Sequence, residues 1–217
     1  MKTITVRSNT GEKDYRIPER WKDVTVSQYQ KIVQLQTPDL ISVFSILCNE
    51  EYNTLSNIVN PELERTLFDC VRFISEQPFK ATKVPKMITI EGKELNVPTR
   101  IGGLSIGQSI HVRQKLETCK VYEECISLAV ACYLQPRYNR GEFDYEKALE
   151  LENIILEMPI TEIYPIGFFL LKPLTNSGSS ILSDLSHTLA RWWQASTRSV
   201  KTLVRWLRLK DLNRSNI

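Results

Sequence analysis

Residues able to do chemistry are few and scattered in this 217-residue chain. The two histidines, His111 and His187, stand 76 positions apart, and neither belongs to a paired Cys/His spacing of the zinc-site kind. The five cysteines, Cys48, Cys70, Cys119, Cys125 and Cys132, are odd in number and fall mostly inside apolar helical pattern. Without an export signal they read as reduced, buried thiols. Cys125 and Cys132 lie two helical turns apart and share a face, but the neighbouring sequence offers no further ligands to complete a metal site. Ile101-Gly102-Gly103-Leu104-Ser105-Ile106-Gly107 is the one glycine-rich stretch ahead of a helix. It lacks a P-loop lysine and the spacing of a dinucleotide fingerprint, so it reads as a turn. Glu142, Asp144, Glu146, Glu150, Glu152 and Glu157 cluster on a helix that also carries Lys147. There Asp144 is the expected cap, and Glu146 and Glu150 share an exposed face suited to solvent or a basic partner rather than to acid–base catalysis. No catalytic constellation, metal site or cofactor is expected from these residues. A catalytic pair would have to be assembled by the fold.

The remaining chemically distinctive stretch is the C-terminal one. Leu182, Leu185, Leu189, Trp192, Val200, Leu203 and Leu207 recur at steps of three and four, with only Ser196 interrupting the series, the pattern of an amphipathic helix. Its cations, Arg191, Arg198, Lys201, Arg205, Arg208, Lys210 and Arg214, face only Asp184 and Asp211, a local net charge of +5 against +3 for the whole chain. Four readings suit such a helix: packing on the body or self-association, docking in a partner's groove, tracking nucleic-acid phosphates, or lying on an anionic membrane. For partner contact the expected residues are Arg191, Trp192, Trp193, Arg198, Arg205 and Trp206.

The elements that would position these groups form an internal repeat. At an offset of 80, Lys13-Asp14-Tyr15-Arg16-Ile17-Pro18 falls on Lys93-Glu94-Leu95-Asn96-Val97-Pro98. Without a gap, Arg20 then meets Arg100, Val24 meets Leu104, Thr25 meets Ser105, Val26 meets Ile106 and Gln28 meets Gln108. In each copy a β-hairpin is expected, Ile4–Val6 with Tyr15–Ile17 and Met87–Ile90 with Leu95–Val97, stopped by Pro18 or Pro98. Thr25 with Gln28, and Ser105 with Gln108, have the spacing of a helix capping box.

Further helices are expected around Leu40–Leu47 and from Pro61 to Ile74, with a short element at Tyr52–Ile58. The second copy offers Tyr122–Leu134 and Phe143–Met158. Pro159 and Pro165 there bracket a link into Phe168-Phe169-Leu170-Leu171. The expected fold is therefore α+β and mostly α-helical, with two hairpin-bearing units that pack together and a separate C-terminal helix. The expected organisation is a first repeat over 1–78, a linker over 79–86, a second repeat over 87–174, a flexible linker over 175–180 and the basic helix over 181–217.

Bulk composition agrees with a globular core: 42% hydrophobic and 24% charged residues, with 8 glycines and 10 prolines. The start, MKTITVRSNTGEKDY, has no apolar stretch of the signal-peptide kind. The longest apolar candidate, Ile163 to Leu174, is broken by Pro165, Lys172 and Pro173, so no membrane span is expected. A cytoplasmic setting follows.

Val43-Phe44-Ser45-Ile46-Leu47, Glu50-Glu51-Tyr52-Asn53-Thr54-Leu55 and Leu63 to Ile74 resemble the helical core of tail assembly chaperones of long-tailed bacteriophages. Phe143–Ala148 through Phe168-Phe169-Leu170 resembles the same pattern a second time, so the likeness covers about residues 1–174 and leaves out the basic tail. The duplication departs from that family's usual single unit. The resemblance implies a non-enzymatic protein of the host cytoplasm that binds an aggregation-prone tape-measure or tube protein, and it carries over no catalytic residue. A structural virion subunit, such as a head–tail connector or ring protein, is the alternative. A nucleic-acid-binding regulator acting through the basic tail is a second.

Overall fold

The computed structural model describes residues 1–8, 11–35, 39–52, 72–75, 83–97 and 104–175. The chain divides into two units, Met1–Leu174 and Thr175–Ile217, and the described residues belong to the first but for Thr175. The element expected at Tyr52–Ile58 apart from Tyr52, most of the helix opened by Pro61, much of the 79–86 linker and the tail beyond Thr175 lie outside the described residues. The first unit is α+β and mostly helical, with two separate antiparallel hairpins, as its sequence predicts.

In the first hairpin β1 (Lys2–Ser8) pairs with β2 (Gly11–Ile17), and Ile4 faces Tyr15. Alternation turns Tyr15 and Ile17 onto Phe44, with Ile4, Leu40 and Ile41 around them. The second hairpin, β3 (Met87–Ile90) and β4 (Lys93–Asn96), is joined by Glu91-Gly92 with φ of 48° and 76°. Positive φ at both positions is what a two-residue turn matching strand twist requires, and glycine supplies the second without strain. Ile88, Ile90, Leu95 and Val97 form its buried face.

Each hairpin leads into a capped helix, α1 (Val26–Gln34) and, in the second repeat, α3 (Ile106–Thr118). Both capping boxes form as their spacing predicts, with Thr25 and Gln28 in one and Ser105 and Gln108 in the other. Both glutamines are buried, and each does a second job. Gln28 Nε2 donates to the Leu47 carbonyl at 2.9 Å, and Gln108 Nε2 donates to the Cys132 carbonyl at 2.7 Å. These are carbonyls that their own helices cannot satisfy. Leu47 lies in the last turn of α2 (Leu40–Cys48), where carbonyls have no intrahelical donor. Cys132 lies four residues before Pro136 in α4 (Ile126–Tyr138), and proline has no N–H to give it.

Two expected boundaries are corrected. The helix placed at Tyr122–Leu134 begins as a 3-10 turn at Tyr122–Cys125, and the α-helix then runs through Pro136 to Tyr138. Pro136 does not stop it because Gln108 takes the vacated carbonyl. Nor do Pro159 and Pro165 bracket a link, because α6 (Ile160–Thr175) is one helix with Pro165 inside it. Ile160, Ile163, Ile166, Leu170 and Leu171 are all at most 2% exposed, and that burial outweighs one lost backbone bond. The helix expected at Phe143–Met158 is α5 (Tyr145–Leu156), capped by Asp144 as predicted.

The repeats meet along a hydrogen-bonded seam. α4 is buried on every side from Ile126 to Gln135, as a central helix must be. The extended N-cap segment of α1 pairs with the α5–α6 junction: Ile160 N–H donates to Val24 O at 2.9 Å and Val26 N–H to Met158 O at 3.0 Å, with Thr25 opposite Pro159. From α1, Gln30 Nε2 donates to the carbonyls of Glu123 and Glu124 and to Ser127 Oγ, closing the same seam. Gly167 lets α6 approach α4 closely, since a Cβ there would meet Ile126 Cγ2 at 2.5 Å.

Candidate partner-binding surface

The chemistry-bearing residues are spent on packing. His111 stacks on Tyr145 with ring centroids 3.7 Å apart and an 8° interplanar angle. Cys125 and Cys132 are buried, and burial pushes the Cys132 thiol up to about 12, opposite to the shift a nucleophile needs. Glu146 and Glu150 are exposed, as expected of a solvated face. Among the described residues no group of three or more His, Cys, Asp or Glu could hold a metal ion. No helix among them is long and apolar enough to cross a membrane. Of the glycine-rich stretch, only Leu104 to Gly107 is described, and it forms the N-cap and first turn of α3. The six tail residues expected at a partner interface, Arg191, Trp192, Trp193, Arg198, Arg205 and Trp206, lie outside the described residues.

A different surface emerges when the two capped helices are compared position by position. Val26, the first residue of α1, is 0% exposed, whereas its counterpart Ile106 in α3 is 81% exposed. One turn on, Gln30 is tied into the inter-repeat seam, whereas its counterpart Ile110 is 47% exposed. Positions facing the core do match: Ile32 is 1% and Val112 3% exposed. The helices therefore sit alike on their own units, and only α1 has its outer face covered. Isoleucines four apart lie on one helix face, so Ile106 and Ile110 make a continuous apolar patch.

The backbone beneath the patch is open as well. Ser105 has φ −63° and ψ 160°, close to the −77° and 162° of Thr25. Its N–H is taken by Gln108 Oε1 at 2.7 Å, as that of Thr25 is taken by Gln28. The Leu104 carbonyl and the Ile106 N–H, counterparts of the groups on Val24 and Val26 that bind the α5–α6 junction, have no backbone partner among the described residues.

Beside this edge runs a groove of about 710 Å³ between the start of α3 and the end of α4, lined by Ser105, Gly107, Gln108, Tyr133, Arg137 and Phe143 among others. At Gly107 a Cβ would press to 3.3 Å on the Phe143 ring, which would have to give by a few tenths of an ångström. Arg137 lies with its guanidinium 5.3 Å from the Tyr133 ring centroid and donates to the Tyr133 carbonyl. Tyr133 is 3% exposed, yet its hydroxyl has no hydrogen-bond partner among the described residues. A buried hydroxyl left unmatched costs about 1–3 kcal/mol.

An exposed apolar pair, an open backbone edge, a groove and an unmatched hydroxyl thus gather at one end of α3. Sequence reasoning did not find Ile106, Ile110, Tyr133 or Arg137. The alignment of Ile106 with Val26 was legible, but which of the two is covered depends on the packing of the repeats. No protein-family model, curated protein or solved structure matches the chain.

Proposed function

We propose that the chain is a non-enzymatic assembly protein that holds a protein partner, and specifically a tail assembly chaperone of a bacteriophage acting on a tape-measure or tube protein. The observation that carries the protein-binding part is the contrast between Val26, 0% exposed, and Ile106, 81% exposed, at matching positions of two like helices. A large apolar side chain held almost wholly in water, next to a second one and an open edge, marks an interaction surface rather than a scattered surface residue. The phage role rests on the resemblance of residues 1–174 to that family.

The test is affinity capture of the tagged full chain from infected cells, with purified virions assayed alongside. Capture of a tail component, with the chain absent from virions, is the expected result, and Ile106→Asp with Ile110→Asp should abolish the capture. Stoichiometric presence in virions would overturn the chaperone role in favour of a structural subunit. Retention of the partner by the double variant would remove α3 from the interface.

A further inference from the structure

The covered edge of the first repeat is a template for what the open edge of the second would bind. On the covered edge, Val24 O accepts from Ile160 N–H and Val26 N–H donates to Met158 O, with Thr25 opposite Pro159. In this antiparallel pattern the two residues directly opposite one another exchange no hydrogen bond. Proline therefore fits at the central position without loss, and its fixed φ keeps the segment extended and ready to pair. The residue after the proline must supply an N–H, and in the template it is Ile160, fully buried and the first residue of α6.

Resting on the partner-binding reading above, we propose that Leu104–Ile106 takes up, by β-bridge pairing, an extended apolar–proline–apolar segment of a partner polypeptide that continues into a helix. The partner residue before the proline accepts from Ile106 N–H. The residue after it donates to the Leu104 carbonyl, and the residue before it stands opposite Ile106 as Met158 stands opposite Val26. Position 30 of the first repeat is Gln30, which donates to the Glu123 and Glu124 carbonyls ahead of α4. Its counterpart in the second repeat is the exposed Ile110, so a partner lying across α3 presents an apolar side chain there rather than bare carbonyls. The groove along Tyr133 and Arg137 gives the partner chain a path away from the bridge, and an acceptor on it would match the Tyr133 hydroxyl.

The probe is a fluorescent peptide with the chain's own template sequence, Leu156 to Ile166, titrated against the full-length protein and read by anisotropy. Saturable binding that weakens at least tenfold with Ile106→Asp is expected. Because Ile106 is 81% exposed, that variant should keep the wild-type circular dichroism and urea midpoint. N-methylation of the peptide at the Ile160 position removes the one N–H that pairs with Leu104 and should also cost at least tenfold. N-methylation two residues further on is the comparison peptide and should cost less. Equal affinity for both methylated peptides would overturn the β-bridge. Absence of peptide binding by a protein that still captures its cellular partner through Ile106 would overturn the proposed segment chemistry while leaving the partner-binding surface standing. A wild-type chain that self-associates, and that Ile106→Asp renders monomeric, would replace the foreign partner with a second copy.

Discussion

Replacing Gln108 by Glu changes one –NH₂ to an oxygen, and the repeat geometry makes that single exchange costly. Gln108 Oε1 accepts from Ser105 N–H at 2.7 Å, a role that a glutamate fills equally well in an ordinary capping box. Its Nε2, however, donates at 2.7 Å to a Cys132 carbonyl that Pro136 has left without a helical donor. A carboxylate cannot donate, so Glu at this position both orphans a buried carbonyl and sets a negative oxygen against it. Loss of one buried partner costs about 1–3 kcal/mol, and the repulsion puts the expected cost at the upper end, about 3 kcal/mol. For a urea m-value of about 3 kcal/mol/M, the midpoint should fall by about 1 M at neutral pH.

The Cys132 carbonyl favours the protonated carboxyl, whose O–H can donate to it, so the folded pKa of the introduced group lies above the unfolded one near 4.3. Stability relative to wild type is then regained below the unfolded pKa and lost as pH rises through the folded one. Pro136→Ala adds a second check: it returns an N–H to the Cys132 carbonyl, so Gln108→Ala should cost less in that background, by about 1 kcal/mol in a double-mutant cycle. The assay is urea denaturation followed by circular dichroism, with wild type run at every pH. A Gln108→Glu protein as stable as wild type at pH 7 would refute the second role of the glutamine. The same experiment at Gln28, whose Nε2 serves Leu47, should give the same sign.

Gly167→Ala should destabilise by about 2 kcal/mol in urea although alanine favours helices, because its Cβ would meet Ile126 Cγ2 at 2.5 Å; a neutral result would mean that α6 can shift. Glu123 is 6% exposed, and burial first, with Glu124 adding, raises its carboxyl pKa, while Tyr29, Tyr122 and Tyr164 lie within its field. Its stabilising contribution is fully present below the unfolded carboxyl pKa and lost as pH rises through the folded one, so Glu123→Gln should raise the urea midpoint at pH 7 and lose that advantage in acid. Cys132, pushed up to about 12, should react with a thiol reagent in the native state far more slowly than half-buried Cys119; equal rates, read by peptide mass mapping, would contradict its burial.

Local rules carried much of this fold into the sequence. Thr25 with Gln28 and Ser105 with Gln108 announced two helix starts because a cap is decided within four residues. The runs Met87–Ile90 and Leu95–Val97 announced a hairpin because strand alternation and a tight turn are decided locally. The helix end expected at Leu134 fell short because a distant side chain compensates for a proline: Pro136 sits inside α4, and Gln108, 28 positions earlier, serves the carbonyl it strands. The buried apolar face of α6 likewise carries Pro165. The candidate surface was the least legible part, since Val26 and Ile106 are both aliphatic and only the seam with Met158–Ile160 makes one core and the other surface.

Amide hydrogen exchange on the full chain, alone and in complex with its captured partner, tests the central claim most directly. Amides from Ile106 to Ile110 should slow on binding, while those from Val26 to Gln30, already covered within the chain, should stay as they were. Unchanged exchange over Leu104–Ile110, with protection appearing only in the basic tail, would contradict it.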